Sequence, residues 1–194
     1  MCGKQYAMNK KEMRELICAR VSEIPEDKRF SEDAAIYENV ISLPEWAAAS
    51  RIFVYVGVGR EVRTDALIEK LISDGKRICV PLCHGMGKMD AVYIPSFDSL
   101  KPGRFGIPEP RECGEKALPE ELDLIIVPGV AFGIDGTRLG RGAGYYDRFL
   151  SRAKNAKKIA LCREAALNET VPTEPHDEKV DIIVSERRVI KIQR

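Results

Sequence analysis

The chain has 194 residues, 44% hydrophobic and 31% charged, an ordinary globular composition that argues against bulk disorder. Thirty-one Lys and Arg against thirty Asp and Glu leave a net charge of +1, so no global field draws the protein to nucleic acid or an anionic membrane, and any anion site has to be local. No apolar run approaches the roughly 20 residues that span a bilayer, and the start MCGKQYAMNKKEMRE lacks the apolar stretch of a signal peptide, so the expectation is a single domain over 1–194 with a cytoplasmic address.

In chain order, a first helix is expected where Met13, Leu16, Ile17, Val21 and Ile24 recur at helical spacing among charged residues, ending near Pro25. Ser31 is placed to cap a second helix with a stripe of Phe30, Ala34, Tyr37 and Ile41. PEWAAAS, opening at Pro44, adds one or two turns with Pro at the first position. RIFVYV (51–56), followed by glycines, suits a buried parallel strand. Thr64 caps a helix through Ile72 with Ala66, Leu67, Ile68 and Leu71 inward and Gly75 as the stop. RICVPL (77–82) and DAVYIP (90–95) read as strands, and the Pro- and Gly-rich stretch 99–120 as an ordered excursion over the surface. LDLIIVPG (122–129) is the most apolar strand, followed by a glycine-rich segment and a helix over YYDRFLSRA (145–153). KKIALC (157–162) and DIIVSE (181–186) are further strands, with VIKI (189–192) as an edge. Strands alternating with helices imply an α/β fold built on one mostly parallel sheet covered on both faces.

Cysteines stand at positions 2, 18, 79, 83, 113 and 162. A chain with this much core needs no disulfide staples. Cys18, Cys79 and Cys162 fall inside expected elements, where a buried thiol behaves as a small apolar side chain. Cys79, Cys83 and His84 have no matching ligand pair downstream and read as structural, not as a metal cluster.

The chemistry gathers in VPGVAFGIDGTRLGRGAGYYDRFL (127–150), which leaves the C-terminal end of a buried strand, where open α/β sheets place ligands. Gly140, Gly142 and Gly144 let the backbone approach a ligand and turn its N–H groups inward. The start of the following helix favours an anion, and Arg138 and Arg141 add two planar forks for phosphate or carboxylate. The segment is not a Walker A loop, because no Lys followed by Ser or Thr closes it. It misses the dinucleotide fingerprint because Tyr145 holds the third glycine position. Asp147 in the first helical turn either complements the helix dipole or holds Mg²⁺ against nucleotide phosphates, with Asp177 of EPHDEKVD as a candidate second carboxylate.

RLGRGAGYYDRFL, preceded by DLIIVPGVAF, resembles the signature of the 5-formyltetrahydrofolate cyclo-ligase family. Lys10 and Arg14, EVRT (61–64), GIPEP (106–110) and VPTEPHDEKVD (171–181) fall in the family's order, so the resemblance runs along essentially the entire chain. It implies the three-layer α/β/α sheet shared with sugar-phosphate isomerases and CoA transferases. It also implies the conversion of 5-formyltetrahydrofolate and MgATP to 5,10-methenyltetrahydrofolate, ADP and phosphate through a phosphorylated formyl oxygen, an iminophosphate. By the same resemblance Lys10, Arg14 and the loop Arg138, Leu139, Gly140, Arg141, Gly142, Ala143, Gly144, Tyr145 and Tyr146 bind ATP, with Arg138 and Arg141 catalytic. Val56 and Glu61 contact the folate together with Arg141, Gly142, Ala143, Gly144 and Tyr145, and Asp147 and Asp177 hold Mg²⁺. The partners implied are these small molecules, with no nucleic acid and no membrane, and the chain is expected to be a monomer. Two positions depart from the family pattern: Gly133 stands where many members have Asp, with Asp135 as a possible substitute, and Ala143 where relatives often carry Gly or Lys. His84 and His176 are the only histidines, and neither is given a catalytic role. Another enzyme of this fold, acting on a sugar phosphate or a thiamine-related compound, and a nucleotide-keeping binding module are the competing readings.

Overall fold

The computed structural model describes residues 8–103 and 106–193. Cys2, with the rest of residues 1–7, and residues 104 and 105 of the surface excursion lie outside the described part. In chain order the elements are α1 Lys10–Ser22, α2 Glu26–Ile41, α3 Pro44–Ala48, β1 Arg51–Val54, α4 Asp65–Ser73, β2 Arg77–Cys83 and β3 Met89–Tyr93. The short strands β4 Lys101–Pro102, β5 Pro108–Glu109 and β6 Lys116–Ala117 lie in the excursion. Then come β7 Leu124–Val127, β8 Ala131–Gly133, β9 Arg138–Leu139, α5 Tyr145–Leu150, β10 Lys157–Leu161, β11 Leu167–Asn168, β12 Ile182–Val184 and β13 Val189–Lys191.

Among the described residues, eight strands form one sheet in the order β13-β12-β10-β7-β1-β2-β3-β6. The central run from β12 to β2 is parallel, and the flanking β13, β3 and β6 pair antiparallel. The central strands alternate between two apolar clusters, as a doubly covered sheet requires. Phe53, Ile125, Ala160 and Ile183 face one cluster, which α1 closes with Met13 and Ile17 and α5 with Phe149 and Leu150. Ile52, Val54, Leu124, Ile126, Ile159 and Ile182 face the other, which α2, α3 and α4 close with Ile36, Val40, Trp46, Leu67, Ile68 and Leu71. The result is the three-layer α/β/α arrangement with a mostly parallel sheet.

Several local expectations are corrected. α2 begins at Glu26 after Pro25, so Ser31 lies inside the helix and returns its hydroxyl to the Lys28 carbonyl instead of capping. That start turns Ile36 and Val40 inward and leaves Phe30 72% exposed. Glu26 and Asp27 complement the dipole of this start in place of a side-chain cap. In α4, Ala66 is exposed and Leu67, Ile68 and Leu71 are the buried face. Cys18 points to solvent, whereas Cys79 and Cys162 are buried, and burial pushes both of those thiols well above their usual pKa. The glycine-rich segment contributes β8 and β9 to a small second sheet, β11-β8-β9, that periodicity did not announce because two- and three-residue strands carry no period.

Arg163, just past β10, is buried and pairs with Asp33 at 2.6 Å and Glu32 at 3.4 Å, pinning α2 to the sheet. Burial raises both carboxyl pKa values, against the opposing pull of the guanidinium. Arg163→Ala is expected to destabilise the fold by about 3–5 kcal/mol at neutral pH, since it strands two buried acids. Ionisation of a carboxyl whose folded pKa is raised opposes folding at pH above that pKa and ceases to as the pH falls through it. The deficit against the parent chain should therefore narrow on acidification. Urea denaturation at neutral and mildly acidic pH reads both numbers, and a pH-independent deficit would refute the assignment.

Candidate active site

The chain leaves β1 toward β2 on one side and leaves β7 toward β10 on the other, so the C-terminal ends of β1 and β7 part into the crevice where open α/β sheets hold ligands. Residues 55–64 form one lip and residues 128–130 the other. Thr64 does not cap α4 with its side chain. Its buried hydroxyl donates to the Tyr55 carbonyl at 2.6 Å and accepts the Gly57 N–H at 3.0 Å, closing the lip on itself. Gly57 fits there because a Cβ would come within 2.3 Å of the Val62 carbonyl oxygen. This closure presents Glu61, whose Oε2 accepts the Val58 N–H at 3.2 Å.

Residues 138–147 descend from β9 across the crevice to α5. Gly142 and Gly144 have φ of 102° and 68°, in the left-handed region that favours glycine. Arg14 reaches from α1 to donate to the Gly140 carbonyl at 2.8 Å, joining the N-terminal helix to this loop. The Tyr145 hydroxyl donates to the His84 carbonyl at 3.0 Å. Tyr146 turns the other way, its ring 6.1 Å from that of Phe53, and burial raises its pKa well above the usual tyrosine value. The helix that follows spans six residues, shorter than the stretch 145–153 read from periodicity, so its dipole contributes less to anion binding than the sequence suggested.

Among the described residues, the candidate cations and carboxylates are paired across the crevice. Arg138 pairs with Asp147 at 2.5 Å, Lys10 with Asp177 at 2.7 Å, and Arg141 with Glu61 at 2.8 Å. They differ in burial. The Arg138 side chain is 2% exposed, held in β9 and also directed at the Pro128 carbonyl, so it is a fixed buried cation and not the loop fork read from the sequence. Arg141 is 64% exposed on the loop. Lys10 also reaches Glu174 at 3.0 Å. For Asp177, burial works upward on the pKa, but the bonds from Lys10 and the Glu174 N–H outweigh it, so the carboxyl sits below its usual value. For Lys10, burial works downward, and Asp177 and Glu174 overcome it to hold the ammonium above its usual value. The Glu178 N–H donates to Asp147 Oδ1 at 3.3 Å, so the segment carrying Asp177 lies directly against Asp147.

Lys10, Arg14, Val56, Glu61, all of Arg138 to Asp147, and Asp177 line one cavity of about 540 Å³. Its apolar wall of Pro81, Cys83, Met89 and Ile107 was not anticipated from the sequence, because β2, β3 and the excursion reach the crevice only through the fold. Glu174 and His176 also line it, and with Asp177 they place potential ligand atoms within 4.8 Å of one another. The EPHDE run was the available signal for Glu174. A second cavity of about 630 Å³ adjoins the first across Arg14, Tyr55, Glu61 and Arg141. Asp135 lines neither cavity. It bonds Thr137 and Lys179, and a Cβ at Gly133 would sit 2.3 Å from the Thr137 hydroxyl, so the exchange of Asp for Gly here goes with a tight turn. The hard oxygen donors of Asp147 and Asp177 at one end of the cavity suit Mg²⁺, which is held by one or two carboxylates together with phosphate oxygens.

Thr64→Val keeps the shape of the side chain and leaves the Gly57 N–H and Tyr55 carbonyl without their partner. The expected cost is about 1–3 kcal/mol of stability, together with weaker binding of any ligand that needs Glu61. Thermal denaturation and ligand titration check the two effects, and a variant with parental stability would remove Thr64 as the closure.

The chain is similar to known proteins over nearly its full length. Residues 7–186 match the model of the 5-formyltetrahydrofolate cyclo-ligase family. A probable 5-formyltetrahydrofolate cyclo-ligase of Schizosaccharomyces pombe is 30% identical over 95% of this chain and 98% of its own. A 5-formyltetrahydrofolate cyclo-ligase of Mycolicibacterium smegmatis is 32% identical over 94% and 96%. The solution structure of Aquifex aeolicus 5,10-methenyltetrahydrofolate synthetase superposes with a TM-score of 0.84 at 33% identity, covering 96% of this chain and 94% of that one. The Mycoplasma pneumoniae 5,10-methenyltetrahydrofolate synthetase shares the fold with a TM-score of 0.76 at 21% identity, covering 92% and 99%.

Proposed function

The chain belongs to the 5-formyltetrahydrofolate cyclo-ligase family, and we propose on that premise that it is the ATP- and Mg²⁺-dependent enzyme that closes 5-formyltetrahydrofolate to 5,10-methenyltetrahydrofolate, with release of ADP and phosphate. The observation that supports the finer reading is the set of pairs Lys10–Asp177, Arg138–Asp147 and Arg141–Glu61 around one cavity. A ligand set that brings phosphate, a divalent cation and N–H donors can replace the partners in Lys10–Asp177 and Arg141–Glu61 without leaving a charge bare, while Arg138–Asp147 stays paired. A phosphate alone or a cation alone would displace one member and strand the other.

In the proposed reaction the formyl oxygen attacks the γ-phosphorus and ADP leaves, giving the iminophosphate at N5. N10 then attacks the formyl carbon, loses its proton, and the carbon–oxygen bond breaks to release phosphate. The chemistry asks the protein for alignment and charge neutralisation more than for covalent help. Lys10, Arg14 and Arg141 hold the phosphates, with the backbone of residues 140–144 as the cradle. Arg138, fixed in β9, keeps Asp147 in place and adds positive potential beneath the cradle. Glu61, released from Arg141 when that guanidinium turns to phosphate, accepts from the amino and ring N–H donors of the pterin. Val56 and the wall of Pro81, Met89 and Ile107 give the flat ring an apolar seat. Asp147 and Asp177 hold Mg²⁺, which neutralises phosphate charge when bound.

The test is an absorbance assay in the near ultraviolet with 5-formyltetrahydrofolate and MgATP. Folded protein that produces no ATP-dependent rise in methenyl product refutes the reaction. Arg141→Ala should cost roughly 30- to 1000-fold in kcat/KM with little loss of stability, because its side chain is exposed. Arg138→Ala should lose activity and also about 1–3 kcal/mol of stability, because it removes a buried cation and leaves half-buried Asp147 without its counter-ion. Equal effects of the two on stability would contradict the division between fixed and mobile arginine. Lys10→Ala separates partner exchange from simple loss of a cation: it should weaken nucleotide binding yet strengthen nucleotide-free Mn²⁺ binding, read by electron paramagnetic resonance, since Asp177 is freed. Weaker Mn²⁺ binding would contradict the exchange.

A further inference from the structure

Arg148 stands one residue beyond the proposed metal carboxylate Asp147 and lines neither cavity. It is exposed overall, yet its guanidinium makes two directed bonds to backbone. Nε donates to the Gly87 carbonyl at 3.0 Å and Nη2 to the Ala143 carbonyl at 2.5 Å. Both neighbouring glycines leave room for it. A Cβ at Gly87 would fall 1.5 Å from Nη2, and one at Gly144 3.0 Å from Nη1, and both residues have positive φ, at 73° and 68°. The turn 85–87 and the glycine loop are thus stapled by one planar fork, with the Tyr145 hydroxyl bond to the His84 carbonyl as a second tie between the same segments.

We infer that Arg148 is a positioning residue that fixes the Ala143–Gly144 peptide plane so that its N–H is offered to the nucleotide phosphates. In a trans peptide the carbonyl and the N–H point in opposite directions. Holding the Ala143 carbonyl against Arg148 therefore turns the Gly144 N–H to the opposite edge of the plane, away from Arg148, and Gly144 itself lines the cavity. A loop with this much glycine would otherwise sample many orientations of that amide, at an entropic cost met on binding. The six-residue α5 supplies too little dipole to orient the anion alone. Lysine cannot replace the fork, because one ammonium is a point charge and not a rigid pair of donors spaced for two carbonyls.

The inference rests on the proposed nucleotide site, and calorimetry of ADP with Mg²⁺ against the parent chain, Arg148→Ala and Arg148→Lys separates the two. Both variants are expected to bind ADP roughly tenfold more weakly, to bind 5-formyltetrahydrofolate alone nearly as the parent does, and to keep the parental melting temperature. Guanidinium ion in the low millimolar range should restore nucleotide affinity to Arg148→Ala and not to Arg148→Lys. Nucleotide affinity of Arg148→Ala within twofold of the parent, or full recovery in Arg148→Lys, overturns the positioning role while leaving the site standing. A parent chain that binds no nucleotide overturns the site and this role with it. If Arg148→Ala does not fold, Gly87→Ala, which keeps the arginine but places a methyl carbon in its seat, must show the same selective loss, and unchanged ADP affinity there overturns the inference.

Discussion

The divergence of the chain at β1 and β7 is the constraint on which the rest of the molecule depends. Two adjacent parallel strands whose crossovers depart in opposite directions cannot share a covering loop, so their ends open. The lips of that opening are then built from short local devices: the Thr64 hydroxyl closing residues 55–64, Arg14 holding the Gly140 carbonyl, and Tyr145 and Arg148 tying the glycine loop to the 84–87 turn. None of these bonds is long-range in energy. Each is long-range in sequence or turns a corner that the sheet cannot turn for itself.

Electrostatics divides the crevice into a fixed part and a yielding part. Arg138 is buried in a strand with Asp147 as its counter-ion, and low local polarity makes that pair costly to break. Arg141, exposed on its loop, meets Glu61 where solvent lowers the cost of parting, and half-buried Lys10 reaches from a helix end to share Asp177 and Glu174. In the proposed reaction this difference has a use. Arg138, buried, keeps the geometry of β9 and α5 constant, while Lys10 and Arg141 change partners. The net charge of the chain, +1, leaves recognition of a polyanion to this local arrangement.

The legibility of the site followed from how the chemistry is written along the chain. The glycine loop and its arginines are contiguous, so residues 138–147 could be read as an anion site before any fold was known. Lys10 and Glu61 carry no such local mark and were placed by family resemblance alone, and Asp177 was no more than a candidate second carboxylate without it. The cavity wall of Pro81, Met89 and Ile107 was missed because these residues belong to a hairpin and an excursion that approach the crevice only in three dimensions. The clamp by Arg148 was missed because a charged residue in a helical stretch reads as a solvated face. Its role depends on the vacancy left by Gly87, which lies far off in sequence.

The amino-acid sequence by itself determined the alternation of buried strands and amphipathic helices. Runs such as RIFV, LIIV and KKIAL bury side chains on both faces and can be satisfied only inside a covered parallel sheet. It also determined where the backbone could adopt left-handed turns, since only glycine takes them without penalty. It did not determine the phase of α2, the extent of α5 or the partner of any charge. Helix phase answers to the neighbour it packs against, so Arg163 and the sheet turned Ile36 and Val40 inward and left Phe30 in water. A charged side chain is indifferent in sequence to which opposite charge it meets, and a Coulomb interaction is decided by distance and surrounding dielectric. Both are properties of the assembled fold, and for that reason the pairing of Arg138 with Asp147, Lys10 with Asp177 and Arg141 with Glu61 belonged to tertiary structure alone.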